Sequence, residues 1–273
     1  MNNQPEQPSP PPQPQKPVHP LEQPPPPSPP PPPEPPPPRE VIMPQQVPVL
    51  TYVLLTVNIL VFLADWLTGR QLTMLGAKDN QAILAGEYWR LITPLFLHGG
   101  ILHLGFNSYF LYVVGPQVER SFGSARFAAI YFLAGLAGTI ASFALTPARS
   151  IGASGALFGV IGALIPLLYH NRDVLRNPRR QIGQIVQVIV INLVIGLAPE
   201  IDNWSHAGGL LAGVVLAWFA APRYVIRLEG VNRVRIEDDS SLLTAWLAIG
   251  VIGLILIGLA ILVIWLKRSG ITS

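Results

Sequence analysis

Seven stretches free of charged side chains follow one another along the chain: Val41–Ala64, Leu91–Val118, Phe127–Ala148, Ser150–Asn171, Gln181–Pro199, Asn203–Pro222 and Ser240–Leu266, each 19 to 28 residues long. About 20 apolar residues suffice to span the hydrocarbon core of a bilayer, so each stretch predicts one membrane-crossing helix. The first six lie close together, and the seventh follows a polar stretch, Arg223–Asp239.

Composition agrees with this pattern. Of the 273 residues, 50% are hydrophobic and 12% charged, whereas ordinary soluble domains carry about 25% charged residues. The surroundings are therefore expected to be a lipid bilayer, and nucleic acid is not expected as a partner. With no cysteine, disulfides, thiolate catalysis and zinc–thiolate sites are excluded. No apolar stretch follows Met1 for forty residues, so the N-terminus does not read as a secretory signal. Residues 1–40 hold 21 of the 30 prolines. Proline fixes φ and lacks an N–H, so Pro24–Pro38 is expected to be an extended, solvated polyproline II segment within a disordered tail. It reads as a flexible tether, and alternatively as a docking site for proline-binding partners.

Charge sets the expected orientation. With the N-terminus cytoplasmic and all seven stretches crossing, the cytoplasmic segments carry Lys16, Arg39, Arg120, Arg126, Arg172, Arg176, Arg179, Arg180, Arg223, Arg227, Arg233 and Arg235. The outer segments carry Arg70, Lys78, Arg90, Arg149, Lys267 and Arg268. Twelve against six favours this orientation by the positive-inside rule. The second, fourth and sixth helices then all begin at the outer face. His98, His103 and Asn107 lie near the start of the second, Ser154 of the fourth, and His206 of the sixth. Polar groups scattered along the sequence thus converge at one depth.

Ionisable groups at membrane depth are costly and mark functional sites. Ser154 lies in Gly152-Ala153-Ser154-Gly155, and His206 in Ser205-His206-Ala207-Gly208-Gly209. A serine hydroxyl is a weak nucleophile that needs a base, and the His206 imidazole can serve if its Nε2 reaches the Ser154 oxygen. The stretches hold no carboxylate. Asp202, four residues before His206, is the one carboxylate able to approach it. Asn107 and His103 are four apart and share a helix face. The start of the Ser154 helix offers unpaired backbone N–H groups, so donors from two helices can surround one oxyanion. Gly155 and Gly159, and Gly209 and Gly213, are each four apart, a spacing that lets backbones approach closely. Taken singly, such a serine reads as a packing residue and such a histidine as a hydrogen-bonded structural group or proton relay. Three histidines also raise a zinc site, but no His-Glu-x-x-His pattern or buried carboxylate accompanies them. No metal or other cofactor is expected.

The ordered set His98, His103 and Asn107, then Gly152-Ala153-Ser154-Gly155, then His206, Gly209 and Gly213, with Trp89-Arg90 before the second helix, resembles the rhomboid family of intramembrane serine proteases. The resemblance covers about 47–222. It implies an all-α, polytopic membrane helix bundle with a six-helix protease core at 41–222. Around this core the chain reads as a disordered cytoplasmic tail at 1–40, a cytoplasmic loop at 223–241, and a seventh transmembrane helix with a short outer tail at 242–273. The resemblance implies Ser154 as nucleophile, His206 as base, and Asn107, His103 and the Ser154 amide as oxyanion hole. Phe158 stands where many members have a tyrosine packed on the histidine, and it keeps the stacking face. Phe106 is a candidate for lining substrate entry, beside His98. The implied activity is serine-type endoproteolysis of transmembrane protein substrates, from the outer face of what is expected to be the cell membrane. The alternative is a non-catalytic rhomboid-like binding or transport protein.

Overall fold

A computed structural model of the chain describes Pro12 and residues 40–42, 46–198, 201–229 and 233–271. The expectations for the proline-rich tail, its disorder and its partner, lie outside the described residues. The helices are α1 (Val49–Leu67), α2 (Gln71–Gly76), α3 (Asn80–Leu84), α4 (Ile101–Phe122), α5 (Ser124–Leu145), α6 (Ser154–His170), α7 (Pro178–Ile195), α8 (Asn203–Ala220) and α9 (Leu242–Arg268). Each charge-free stretch overlaps one of the seven long helices, so the fold is a polytopic helical bundle. By length and composition three of them, α1, α5 and α9, suffice to cross a membrane, and α6 is a shorter apolar helix.

Helix boundaries depart from the stretches where local chemistry intervenes. The second stretch starts at Leu91, but α4 starts only at Ile101. Pro94, Gly99 and Gly100 break the run, and residues 88–96 form two 3₁₀ turns instead. α1 begins after Pro48. Its first amides are held by a carboxylate from the far end of α4: Glu119 accepts from Leu50 N–H (2.9 Å), Thr51 N–H (2.7 Å), the Thr51 hydroxyl (2.7 Å) and the Ser124 hydroxyl (2.6 Å). Four donors stabilise a fully buried charge that would otherwise be very costly.

The polar stretch after α8 is not an unstructured loop. β2 (Tyr224–Glu229) pairs antiparallel with β3 (Arg233–Asp238), and β1 (Glu40–Ile42) adds parallel to β3. The alternation Arg233-Val234-Arg235-Ile236-Glu237 is a period-2 strand signal. Arg126 at the start of α5 holds this sheet to the bundle by donating to Asp238 (2.6 Å), the Ala220 carbonyl (3.1 Å) and Ser240 (3.3 Å).

The centre of the bundle is α5, α6 and α8, packed at near-backbone distance. A Cβ at Gly209 would collide with the Gly155 carbonyl, and one at Gly213 with the Gly159 carbonyl. α5 joins the same arrangement: a Cβ at Gly138 would lie 2.6 Å from the Ser205 carbonyl oxygen. A second hydrophobic cluster joins Ile83 and Leu91 of the segment after α1 to Ile140 and Phe143 of α5 and Leu256 and Ala260 of α9.

Candidate active site

Ser154 is the first residue of α6, and His206 lies in the first turn of α8. The glycine contacts bring those two helix starts together, and His206 Nε2 lies 2.9 Å from Ser154 Oγ. With the ring proton on Nδ1, Nε2 accepts the serine hydroxyl, which is the arrangement a base needs to activate a nucleophile. The Phe158 ring, one turn along α6, stacks on the imidazole with centroids 4.3 Å apart and planes 16° from parallel. This contact fixes the ring plane. Asp202 does not orient the imidazole. Its carboxylate instead caps α8 by accepting the Ser205 N–H at 3.0 Å, and His206 Nδ1 has no hydrogen-bond partner among the described residues.

Asn107 and His103 of α4 face the same space. One N–H of the Asn107 amide donates to the His103 carbonyl at 2.9 Å, and an amide carries a second donor. His103 Nδ1 accepts the Gly99 N–H at 3.3 Å. Its proton is therefore on Nε2, which points towards Gly152. Gly152 has φ +126°, and a Cβ there would lie 2.7 Å from His103 Nε2. The amide of Gly152 donates to the Pro94 carbonyl at 2.9 Å. Amides in the first turn of α6 have no intrahelical acceptor.

Ser154, His206, Asn107, His103 and Phe158 line one cavity of about 1120 Å³, which Val188, Ile189 and Asn192 of α7 also line. Phe106 also lines it and is 73% exposed. His98 lies outside this lining. It is buried with its ring 5.3 Å from that of His103, edge-on, and the Arg70 guanidinium holds its carbonyl at 3.0 Å. No group of three or more His, Cys, Asp or Glu side chains able to hold a metal occurs among the described residues.

Sequence reasoning missed two supports of this site. Ser205 is wedged between α5 and α6, where a Cβ at Gly155 would meet its hydroxyl at 2.6 Å. The available signal was Gly138 in the third stretch, where the absence of a side chain leaves room for Ser205. Lys78 is fully buried and donates to the Thr146 (2.8 Å) and Ala148 (2.7 Å) carbonyls, while its backbone bridges to Ser150. Burial draws its amine down to about 8, against the opposing pull of Asp202. It fixes the segment that leads into Ser154.

Residues 85–223 match the family model "Rhomboid domain". The chain is 45% identical over 177 residues to "Rhomboid protease GluP" of Bacillus subtilis (strain 168), covering 62% of this chain and 34% of that protein. It is 40% identical over 151 residues to "RHOMBOID-like protein 5" of Arabidopsis thaliana, covering 54% and 48%. With "RHOMBOID-like protein 2" of the same plant it shares 34% over 202 residues, covering 72% and 64%. The matched stretch thus spans from one third to under two thirds of the length of these relatives. The family model takes in Asn107, Ser154 and His206 together with the helices that carry them, α4, α6 and α8, so this chain belongs to the rhomboid family and is an integral membrane protein.

Proposed function

We propose that the chain is an intramembrane serine endopeptidase with Ser154 as nucleophile and His206 as general base. The observation that carries this reading is the 2.9 Å Nε2–Oγ contact inside a cavity among apolar helices. The similarity to the Bacillus subtilis protein named rhomboid protease GluP supports it. The N-terminus is cytoplasmic, the site opens towards the outer face of the cell membrane, and the substrates are transmembrane segments of other proteins.

A substrate helix enters laterally, past Phe106 and α7. Its end unwinds, because helical carbonyls are hydrogen-bonded and shielded. His206 Nε2 takes the hydroxyl proton as Ser154 Oγ bonds to the exposed carbonyl carbon. The oxyanion is held by Asn107 Nδ2, His103 Nε2 and the Ser154 amide. The imidazolium then gives its proton to the leaving amine as the C–N bond breaks, leaving an ester on Ser154. Water, deprotonated by His206, cleaves the ester. Preorganised donors of this kind contribute a factor of about 10²–10³ each.

The test is covalent labelling by a fluorophosphonate, with Ser154→Ala and His206→Ala as controls. Labelling is expected in the native chain, none in Ser154→Ala, and little in His206→Ala. Cleavage of a model transmembrane peptide should be lost in both variants, and the double variant should be little worse than either, since the two groups act as a unit. A folded native chain that is neither labelled nor active would instead be a rhomboid-like binding protein.

A further inference from the structure

α9 lies outside the stretch that matches the family model, yet its last turn reaches the site through a short chain of contacts. Arg268 Nη2 donates to the Leu84 carbonyl at 2.6 Å and to the Tyr88 hydroxyl at 3.2 Å, and Nε donates to the same carbonyl at 3.2 Å. Leu84 is the last residue of α3. A helix of five residues cannot hold itself, so contacts at its two ends decide where it sits. At its other end, Asp79 caps it by accepting from Gln81 (3.0 Å) and Ala82 (3.1 Å), and pairs with Arg149 at 2.6 Å. The Asn80 amide donates to the Thr146 carbonyl at 3.1 Å, and Lys78 bridges to Ser150. α3 is therefore a strut. One end is tied to the last turn of α9, and the other to the 146–150 segment that runs through Gly152 to Ser154. Under it lies the second hydrophobic cluster, where Ile83 of α3 meets Leu256 and Ala260 of α9.

We propose that Arg268 is a positioning residue for Ser154, acting from the seventh helix through α3. This rests on the hydrolase reading for its catalytic consequence, but its structural part stands apart from it. Two guanidinium nitrogens on one terminal carbonyl hold α3 by charge-assisted bonds. Without them α3 pivots, the Lys78–Ser150 bridge loosens, and the start of α6 loses its fixed distance to His206. A misplacement of about 1 Å in such a pair costs about 10²-fold in rate.

The experiment uses the full chain in detergent or nanodiscs, as native protein, Arg268→Gln and Arg268→Lys. Amide hydrogen exchange is read at 79–90, 146–152 and 245–260. Fluorophosphonate labelling of Ser154, and kcat and KM on a model transmembrane peptide, are read in parallel. In Arg268→Gln, exchange should rise at 79–90 and 146–152 while 245–260 keeps its protection. Labelling and kcat should fall about tenfold, the effect of about one charge-assisted bond, with KM unchanged. Arg268→Lys keeps a donor for the Leu84 carbonyl and should restore most of each. Tyr88→Phe removes only the weaker bond and should have a smaller effect of the same sign. Native exchange and native kcat in Arg268→Gln would overturn the proposal, as would a loss that lysine does not rescue or that comes with melting of 245–260. If the native chain is neither labelled nor active, the hydrolase reading fails, and the exchange data still decide whether Arg268 holds the strut.

Discussion

Gly152 is the residue on which the site's two sides meet. Its φ of +126° is open to glycine and strained for any L side chain, and a Cβ would press on His103 Nε2 at 2.7 Å. Gly152→Ala should therefore lower kcat by about 10²-fold through misplaced donors, with KM little changed. In a His103→Ala background the clash is gone and only the backbone strain is left. The same substitution should then cost at least about tenfold less, since contacting residues are not additive. Equal costs in both backgrounds, read from kcat, would mean that His103 does not matter to what Gly152 does. At this scale the sequence was informative wherever a polar residue interrupts an apolar run, as Ser154, His206, His103 and Asn107 do. Lys78 gave no such signal. It stands between two apolar stretches like any surface lysine, and its burial depends on carbonyls about seventy positions away, at Thr146 and Ala148.

Helices were legible as charge-free runs, and their contacts as small residues four apart. The boundaries were less so, because a run of apolar residues does not distinguish a helix from the 3₁₀ turns at 88–96. The hairpin β2–β3 was passed over because its charged residues marked it first as a polar connection. The glycine pairs make a graded prediction. At both Gly209 and Gly213 a Cβ would collide with a carbonyl of α6, and each change to alanine should destabilise the bundle by about 1–3 kcal/mol as overpacking. Their effects on labelling should differ. Gly209 is one turn from His206 and packs on Gly155, next to Ser154, whereas Gly213 packs a turn lower on Gly159. Gly209→Ala should slow fluorophosphonate labelling much more than Gly213→Ala at similar loss in thermal stability. If the two track stability equally, α6–α8 spacing does not set the dyad distance.

Across the whole molecule, contacts sort the chain ends without reference to any membrane. Arg268 touches Leu84 and Tyr88, and the segment from Lys78 bridges to Ser150, so the end of α9 and the start of α6 lie at one end of the bundle. At the other, Arg126 meets Asp238, and Asn171 joins the Pro222 carbonyl to the Tyr224 amide. β1 pairs with β3, so Glu40–Ile42 also lies at this second end. Arg172 and Arg176 follow the end of α6, Arg179 and Arg180 stand in the first turn of α7, Arg223 follows α8, and Arg227 lies in β2. By the positive-inside rule these arginines support the proposed orientation, with this end cytoplasmic. A reporter fused after Asp239 should be cytoplasmic, and one fused after Ile271 outside. The cysteine of Arg149→Cys, beside the entry to α6, should react with an impermeant thiol reagent from the outside. The chain has no native cysteine to confuse that reading. Because Arg268 and Ser150 are tied to one loop, the second reporter and the cysteine must agree with each other whichever way the bundle sits. Agreement on the inner face would reverse the orientation and put Ser154 within reach of cytoplasmic substrate ends. Disagreement would mean that α9 does not run beside the bundle as described, and the Arg268 strut would fall with it.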